Sequence, residues 1–229
     1  MKVLIDSEGR RYYCESKELH TKYGKVKVKN GKLKSHLGEN FLCFEATFAD
    51  KINKINRGPA IIIKKDIGSI MAYTGISSNS KILDAGAGCG VLAAFLANIS
   101  KHVTSYEISK EFLEIAKRNF KFLGVKVNLK NKDIYKGISE KNLDLITLDL
   151  LEPWRVLKHA KKALKSGGYI VVYSPQITQI IQLIKEAKDF VVERVIENIE
   201  REWIIDAKRA RPKTQMLGHT GFLVFLRKI

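Results

Sequence analysis

Cysteine is scarce in this chain: three in 229 residues, at positions 14, 43 and 89. The number is odd and no pair has Cys-x-x-Cys spacing, so a disulfide framework is excluded. The five histidines are scattered, none at ligand spacing from a cysteine or a second histidine. No structural zinc site is expected, and no metal is assigned. No run of 18 apolar residues occurs, which excludes a membrane-spanning helix. The first residues, MKVLIDSEGRR, hold no long apolar stretch of the secretory kind. The expected location is the cytoplasm. Acids are also in short supply: 24 Asp and Glu against 41 Lys and Arg, a formal net charge of +17. Such a balance suits a polyanionic partner. A lysine-rich solvated surface is the plainer alternative.

What is present is enough for a real core. Apolar residues make up 45% of the chain, and its length fits one large domain, or one core domain with a small appendage. Residues 1–56 read as a small β-rich domain. Asn30-Gly31 lies between alternating segments and predicts a hairpin. In KYGKVKVKNGKLK, Lys25, Lys27 and Lys29 alternate with Val26 and Val28. A strand would put the three lysines on one face, either as a soluble edge or as a phosphate-contacting strip. ATFADKINKINRGPA predicts a short helix ending near Arg57-Gly58-Pro59, where the domain boundary is placed. Residues 57–229 form the second domain.

IIIKKDIGSIMAYTGI predicts a strand-like start and a helix. From Lys81 the pattern is strand, loop, helix, repeated. KILDAG, HVTSYE, VKVNLKNKDI, LDLITLD and GYIVVYS read as strands. SKEFLEIAKRNFKFLG reads as an amphipathic helix with Ser109 as N-cap and Gly124 as its stop. PWRVLKHAKKALKSGG reads as a helix with Pro153 in its first turn and a Gly-Gly end. QITQIIQLIKEAKD is a further helix, and FVVERVIENI and TGFLVFLRKI close the chain as strands. Strands alternating with helices imply an α/β fold, a mostly parallel sheet covered on both faces.

The loop LDAGAGCGV follows the first strand of this series and opens a helix. Its glycines 86, 88 and 90 have GxGxG spacing, and Val91 stands where a dinucleotide fingerprint has its third glycine. Glycines admit a close ligand, and the helix N-terminus favours a carboxylate. Glu107 closes the next strand, placed to accept both hydrogen bonds of a ribose diol. NAD enzymes use the same device. Asp133 ends the third strand, where an acid can accept from an adenine amino group while Ile134 packs on the ring. As a set, Asp84, GxGxG, Glu107 and Asp133 resemble the class I S-adenosylmethionine-dependent methyltransferases, from about Lys64 onward. The resemblance implies a Rossmann-like sheet with helices on both faces and S-adenosyl-L-methionine as cofactor. Cys89 reads as a small filler.

Asp149 closes the strand LDLITLD, followed by Leu150-Leu151-Glu152-Pro153-Trp154. It is either a helix cap, a task that Glu152 suits equally, or the acid facing the methyl acceptor. With RGPAIIIKKD upstream and RPKTQMLGHTGFLVF downstream, and with LHTKYGK and SHLGENFLCFEATFADKINKINRG near the start, the chain resembles the tRNA adenine-N1 methyltransferases that modify the T-loop adenosine at tRNA position 58. By resemblance, Asp84, Gly86, Gly88, Cys89, Gly90, Val91, Glu107, Asp133 and Ile134 form the cofactor site. Asp149 is the active-site acid, tRNA the partner and a homotetramer the assembly. Two positions depart from the family pattern: Leu151 replaces a proline, and Ala60 a glutamine.

Adenine N1 already carries an in-plane lone pair, so no base need create the nucleophile. The base must be extruded and aligned, and an acid accepting from its amino group would stabilise the cationic product. Trp154 fits core packing and base contact equally. DAKRARPKTQMLGHTG places Lys208, Arg209, Arg211, Lys213 and His219 in a loop suited to phosphate contacts, although His219 more often serves structure. Methyl transfer to another acceptor, or a non-catalytic tRNA-binding subunit, are the competing readings. The charge counts against the first, and the intact loop and acid against the second.

Overall fold

In the computed structural model, which describes residues 1–58 and 61–229, two compact units divide after Ile55. The first holds β1 (Lys2–Asp6), β2 (Arg11–Cys14), β3 (Glu18–Thr21), β4 (Gly24–Lys27), β5 (Gly31–Lys34) and β6 (Asn40–Glu45). Strands β2-β1-β6-β5 form an antiparallel sheet, and β3 pairs with β4 alone. Leu4, Cys14, Val26, Phe41 and Cys43 make its small core. Lys25 and Lys27 share the exposed face of β4, opposite buried Val26. Lys29 lies beyond the strand.

The hairpin expected at Asn30-Gly31 does not form. Strand β4 turns back on β3, with Thr21 opposite Gly24, whereas β5 pairs with β6. The segment between β4 and β5 therefore carries the chain from one sheet to the other, and Gly31 supplies the positive φ of 107° used there. Helix α1 (Phe48–Lys51) starts on a capping box of Thr47 and Asp50 and runs into a 3₁₀ turn, Ile52–Lys54. It stops short of the expected Arg57-Gly58.

The second unit holds α2 (Lys64–Thr74), β7 (Lys81–Ala85), α3 (Val91–Ala97), β8 (His102–Glu107), α4 (Lys110–Leu123), β9 (Asn128–Asn131), β10 (Leu143–Asp149), α5 (Leu157–Ala163), β11 (Leu164–Ser174), α6 (Ile177–Glu186), β12 (Phe190–Glu197), β13 (Trp203–Ile205), β14 (Ala210–Pro212) and β15 (Phe222–Lys228). Seven of these strands make one sheet, in the order β12-β15-β11-β10-β7-β8-β9. Strands β11 to β9 run parallel, and β15 is antiparallel to both neighbours. Strand β10 is buried along nearly its whole length, as an apolar run between two covered faces should be. Each fully buried Leu or Ile there contributes roughly 2 kcal/mol.

Local signals set the helix ends. Ser109 caps α4 by accepting from the Phe112 N–H, and Gly124 ends it in the left-handed region. The helix before β11 is shorter than the sequence suggests. Pro153–Val156 is a 3₁₀ turn, α5 ends at Ala163, and Lys165 to Gly168 already belong to β11. Its pairing with β10 is irregular between Leu143 and Leu145, and Gly167 takes a φ of 75°. The two glycines thus mark a strand irregularity rather than a helix stop. Residues 203–212 form a small β13–β14 hairpin where a loop was expected. Among the described residues no helix is long and apolar enough to cross a membrane. None of their side chains cluster as a metal site.

Candidate active site

Register builds the site. Thr147 on β10, Asp84 on β7 and Ser105 on β8 are direct neighbours across the parallel sheet. Both hydroxyls donate to the Asp84 carboxylate, Ser105 at 2.6 Å and Thr147 at 2.8 Å. Asp84 is buried. Burial pushes its carboxyl up to about 7, the two hydroxyls pull it down, and the charges of Asp149 and Glu107 push it up again.

Two residues further on come Asp149 and Glu107, on the same faces of β10 and β8, with Gly86 just past the end of β7 between them. This row is where a ligand fits. A Cβ on Gly86 would lie 3.6 Å from the Asp149 carbonyl oxygen and 3.7 Å from Glu107 Oε2, so the missing side chain leaves room between the two acids. Glu107 is held by backbone: the Gly88 N–H donates to Oε2 and the Ser109 N–H to Oε1, each at 2.8 Å. Each oxygen keeps a lone pair for an incoming diol. Gly90 takes a φ of 83° and its Cα faces Phe120, whose ring would lie 2.6 Å from any Cβ. Glycine there lets the loop turn tightly into α3.

The acids open on a cleft of about 400 Å³ lined by Gly86, Gly88, Cys89, Glu107, Asp133, Ile134 and Asp149, among others. That volume is in the range of small-molecule sites. Asp133 also caps a short turn, accepting from the Tyr135 N–H, and Ile134 is buried beside it. A small adjoining recess is walled by Asp84, Val91, Ile61 and Ile62 and shares Gly86, Gly88, Cys89 and Asp149 with the cleft. A larger hollow of about 690 Å³ lies at the opposite end of the strands, where Lys81 and His102 begin β7 and β8. It holds none of these four acids.

Asp149 differs from Asp84 in one respect. Among the described residues no protein group donates a hydrogen bond to its carboxylate. Burial alone pushes it up to about 6. The cap reading is not realised: among the described residues neither the Asp149 nor the Glu152 side chain accepts from an N–H of the following turn, and the Glu152 carboxylate pairs with Arg155 instead. Leu151 is 76% exposed at the cleft rim. Its carbonyl accepts from Gln179 Nε2 at 2.7 Å, which restrains the loop where the family pattern has proline.

Other expected residues are held by the protein's own packing and hydrogen bonds. Trp154 packs against the core and does not line the cleft. Cys89, within the glycine loop, lines the cleft and the recess although it is nearly buried, and its carbonyl accepts from Asn119 Nδ2. Arg209 sits on the exposed hairpin, paired with Asp206, and Arg211 bonds Thr214. Both His219 ring nitrogens are occupied, one by Glu197 and one by the Pro175 carbonyl. The bond to Glu197 raises its pKa. Ala60 lies outside the described residues. Sequence reasoning missed Tyr135, Leu150, Ile61 and Ile62 as walls. It also missed Tyr173, which stands in register with Asp149 on β11. Burial, with the negative charges of Asp66 and Asp149, pushes its phenol up to about 12. Only Tyr135 carried a usable signal, adjacency to Asp133-Ile134.

The sheet order and the acids at its carboxyl edge define a Rossmann-like methyltransferase, a class whose fold implies S-adenosylmethionine as methyl donor. A solved S-adenosylmethionine-dependent O-methyltransferase from Thermotoga maritima superposes with a TM-score of 0.87 at 25% identity, covering 100% of this chain and 92% of that one. The tRNA (m1A58) methyltransferase TrmI from Aquifex aeolicus gives 0.85 at 25% identity, covering 100% and 96%. A family model described as the tRNA methyltransferase complex GCD14 subunit matches residues 55–209, and the chain belongs to that family. Among its relatives, tRNA (adenine(57)-N(1)/adenine(58)-N(1))-methyltransferase TrmI of Methanocaldococcus jannaschii is 34% identical over 99% of this chain and 94% of its own length. The tRNA (adenine(58)-N(1))-methyltransferase TrmI of Thermus thermophilus is 33% identical over 99% and 96%.

Proposed function

We propose that the protein transfers a methyl group from S-adenosylmethionine to N1 of adenosine 58 in the tRNA T-loop. The observation that carries this reading is the carboxylate of Asp149, which accepts no hydrogen bond among the described residues, at the end of β10 and beside the Gly86–Glu107 cleft. The cleft suits the cofactor: Glu107 offers two fixed oxygens for a ribose diol, Asp133 and Ile134 an acceptor and an apolar face for adenine. Gly86, Gly88, Gly90 and Val91 form the close-approach loop, with Asp84 holding its base. When bound, the cofactor supplies an electrophilic methyl group.

Asp149 then acts on the acceptor. Its carboxylate accepts a hydrogen bond from the exocyclic amino group and so orients N1 toward the cleft. As the methylated ring becomes cationic, the same bond strengthens. Arg209 and Arg211 contact RNA phosphates, and Tyr173 contributes to the acceptor wall. We place Trp154 and His219 in support of that wall rather than on the base. The working assembly is a homotetramer in the cytoplasm, and the small β-rich domain is residues 1–55 rather than 1–56.

The test is to incubate the protein with unmodified tRNA and S-adenosylmethionine, digest to nucleosides and map methylated products by mass spectrometry. N1-methyladenosine in the T-loop is the expected product. No transfer, with S-adenosylmethionine still bound, would reject the substrate. Because the Methanocaldococcus relative is named for both positions, the same map reads whether adenosine 57 is modified too.

A further inference from the structure

Residues 199–218 leave the sheet after β12, carry the β13–β14 hairpin and return just before β15. Arg201, Lys208, Arg209, Arg211 and Lys213 all lie on this arm. Both ends of the arm close on one carboxylate. Asn198 Nδ2 donates to Asp66 Oδ1, and Thr220 Oγ1 donates to Asp66 Oδ2, each at 2.9 Å. Lys65 Nζ lies 3.1 Å from each Asp66 oxygen and 2.6 Å from Thr220 Oγ1. The Asp66 side chain is 0% exposed and that of Lys65 is 8% exposed. His219 ties the same neck a second time, between Glu197 and the Pro175 carbonyl.

The neck also touches the acceptor side. Tyr173 Oη donates to the Thr220 carbonyl at 2.7 Å, and Tyr173 is the register partner of Asp149. Gly221 is bare because a Cβ there would meet the Tyr173 ring at 2.6 Å. On the other flank, Ile61 and Ile62 wall the recess beside Asp84 and Asp149, a few residues before Lys65 and Asp66 open α2. A carboxylate this buried is costly to place, and its bonds here are all to protein donors. What it joins is the start of α2, the two ends of the arm and, through Thr220, the wall at Asp149.

We propose that Asp66, neutralised by Lys65, is a positioning residue. It latches the neck of the basic arm in fixed register with Tyr173 and Asp149, so that RNA held by the arm presents its base to the cleft. This rests on the reading of the chain as a tRNA methyltransferase and adds the residues that set the arm's orientation.

The test unlatches the arm and leaves the buried pair intact. Asn198→Ala with Thr220→Val should raise KM for tRNA about tenfold, the size expected for loss of one coupled contact set. The value of kcat at saturating tRNA and the Kd for S-adenosylmethionine should change less than about twofold on the same ground. Thr220→Ser keeps the hydroxyl and should keep KM near that of the parent. In an Arg209→Ala, Arg211→Ala background the same unlatching should have little further effect, because the arm no longer engages RNA. An unchanged KM, or an equal rise with and without the arginines, would overturn the proposal. Filter binding of tRNA without methyl donor runs alongside. If the parent protein neither binds nor methylates tRNA, the functional reading fails. If the parent does both and the unlatched protein matches it, only the latch fails.

Discussion

Replacing Asp149 by asparagine should make the protein more stable and nearly inactive. The carboxyl titrates near 3.8 when unfolded and is pushed up to about 6 in the folded chain, by burial. A shift of roughly two units corresponds to about 3 kcal/mol of destabilisation at pH 7.5, where the group is ionised in both states. The sign follows from proton uptake: between these two values the folded state holds more protons than the unfolded state. Stability is therefore undiminished below about pH 4 and falls as pH rises through 6. Asparagine cannot ionise, so the variant escapes the loss. It also removes one of the charges that raise Asp84. Thermal unfolding from pH 4.5 to 8.5 should show a gain for Asp149→Asn of up to about 3 kcal/mol at pH 7.5, shrinking to about 1 kcal/mol at pH 4.5. Methyl transfer, measured with both substrates saturating, should fall about 10²- to 10³-fold, the usual cost of losing one stabilising charge contact. In the parent protein, kcat/KM should decline below about pH 6, as the carboxylate takes up its proton. A variant no more stable than the parent at pH 7.5, or a gain equally large at pH 4.5, would refute the reasoning.

Glu107→Gln keeps the shape of the side chain but sets an amide against backbone donors. Titration calorimetry should show S-adenosylmethionine bound about 10- to 100-fold more weakly, as for loss of a charge-assisted hydrogen bond, and unchanged affinity would remove the ribose assignment. Gly90→Ala meets both a positive φ and the Phe120 ring; it should cost about 2–4 kcal/mol in urea unfolding, and near-parent stability would mean that Phe120 moves freely aside. Arg209→Ala with Arg211→Ala should lower the slope of log Kd for tRNA against log salt by up to about 1.8, and an unaltered slope would place the RNA elsewhere.

The parallel sheet was legible because β7, β8 and β10 are short, largely buried runs that end in an acid or just before a glycine. Ser109 and Gly124 marked α4 because caps are local chemistry. Pairing was harder to read. Asn30-Gly31 has hairpin chemistry, yet β4 and β5 take different partners, and partner choice is set by tertiary packing. Lys165 to Gly168 looked like a helix stop because glycine punctuates strands and helices alike. Of the candidate site, the acids and the glycine loop stood out, since charge at a strand end has few structural uses. The cleft walls did not. Ile61, Ile62 and Leu150 are apolar, and nothing in the residue type separates a pocket wall from a core position. Trp154 met that ambiguity from the other side. Tyr173 and Asp66 needed the register of β11 and the return of residues 219–221, contacts between segments far apart in the chain.

The two backbone N–H groups on Glu107 come from different places, Gly88 in the glycine loop and Ser109 at the head of α4. Its carboxylate is therefore fixed before any ligand arrives. The rotamer freedom of a glutamate, worth on the order of 1–2 kcal/mol, is given up when the chain folds and not when the cleft fills. A ligand diol meets an acceptor pair already aimed, and binding it adds to a bridge that joins the loop to α4 instead of creating one.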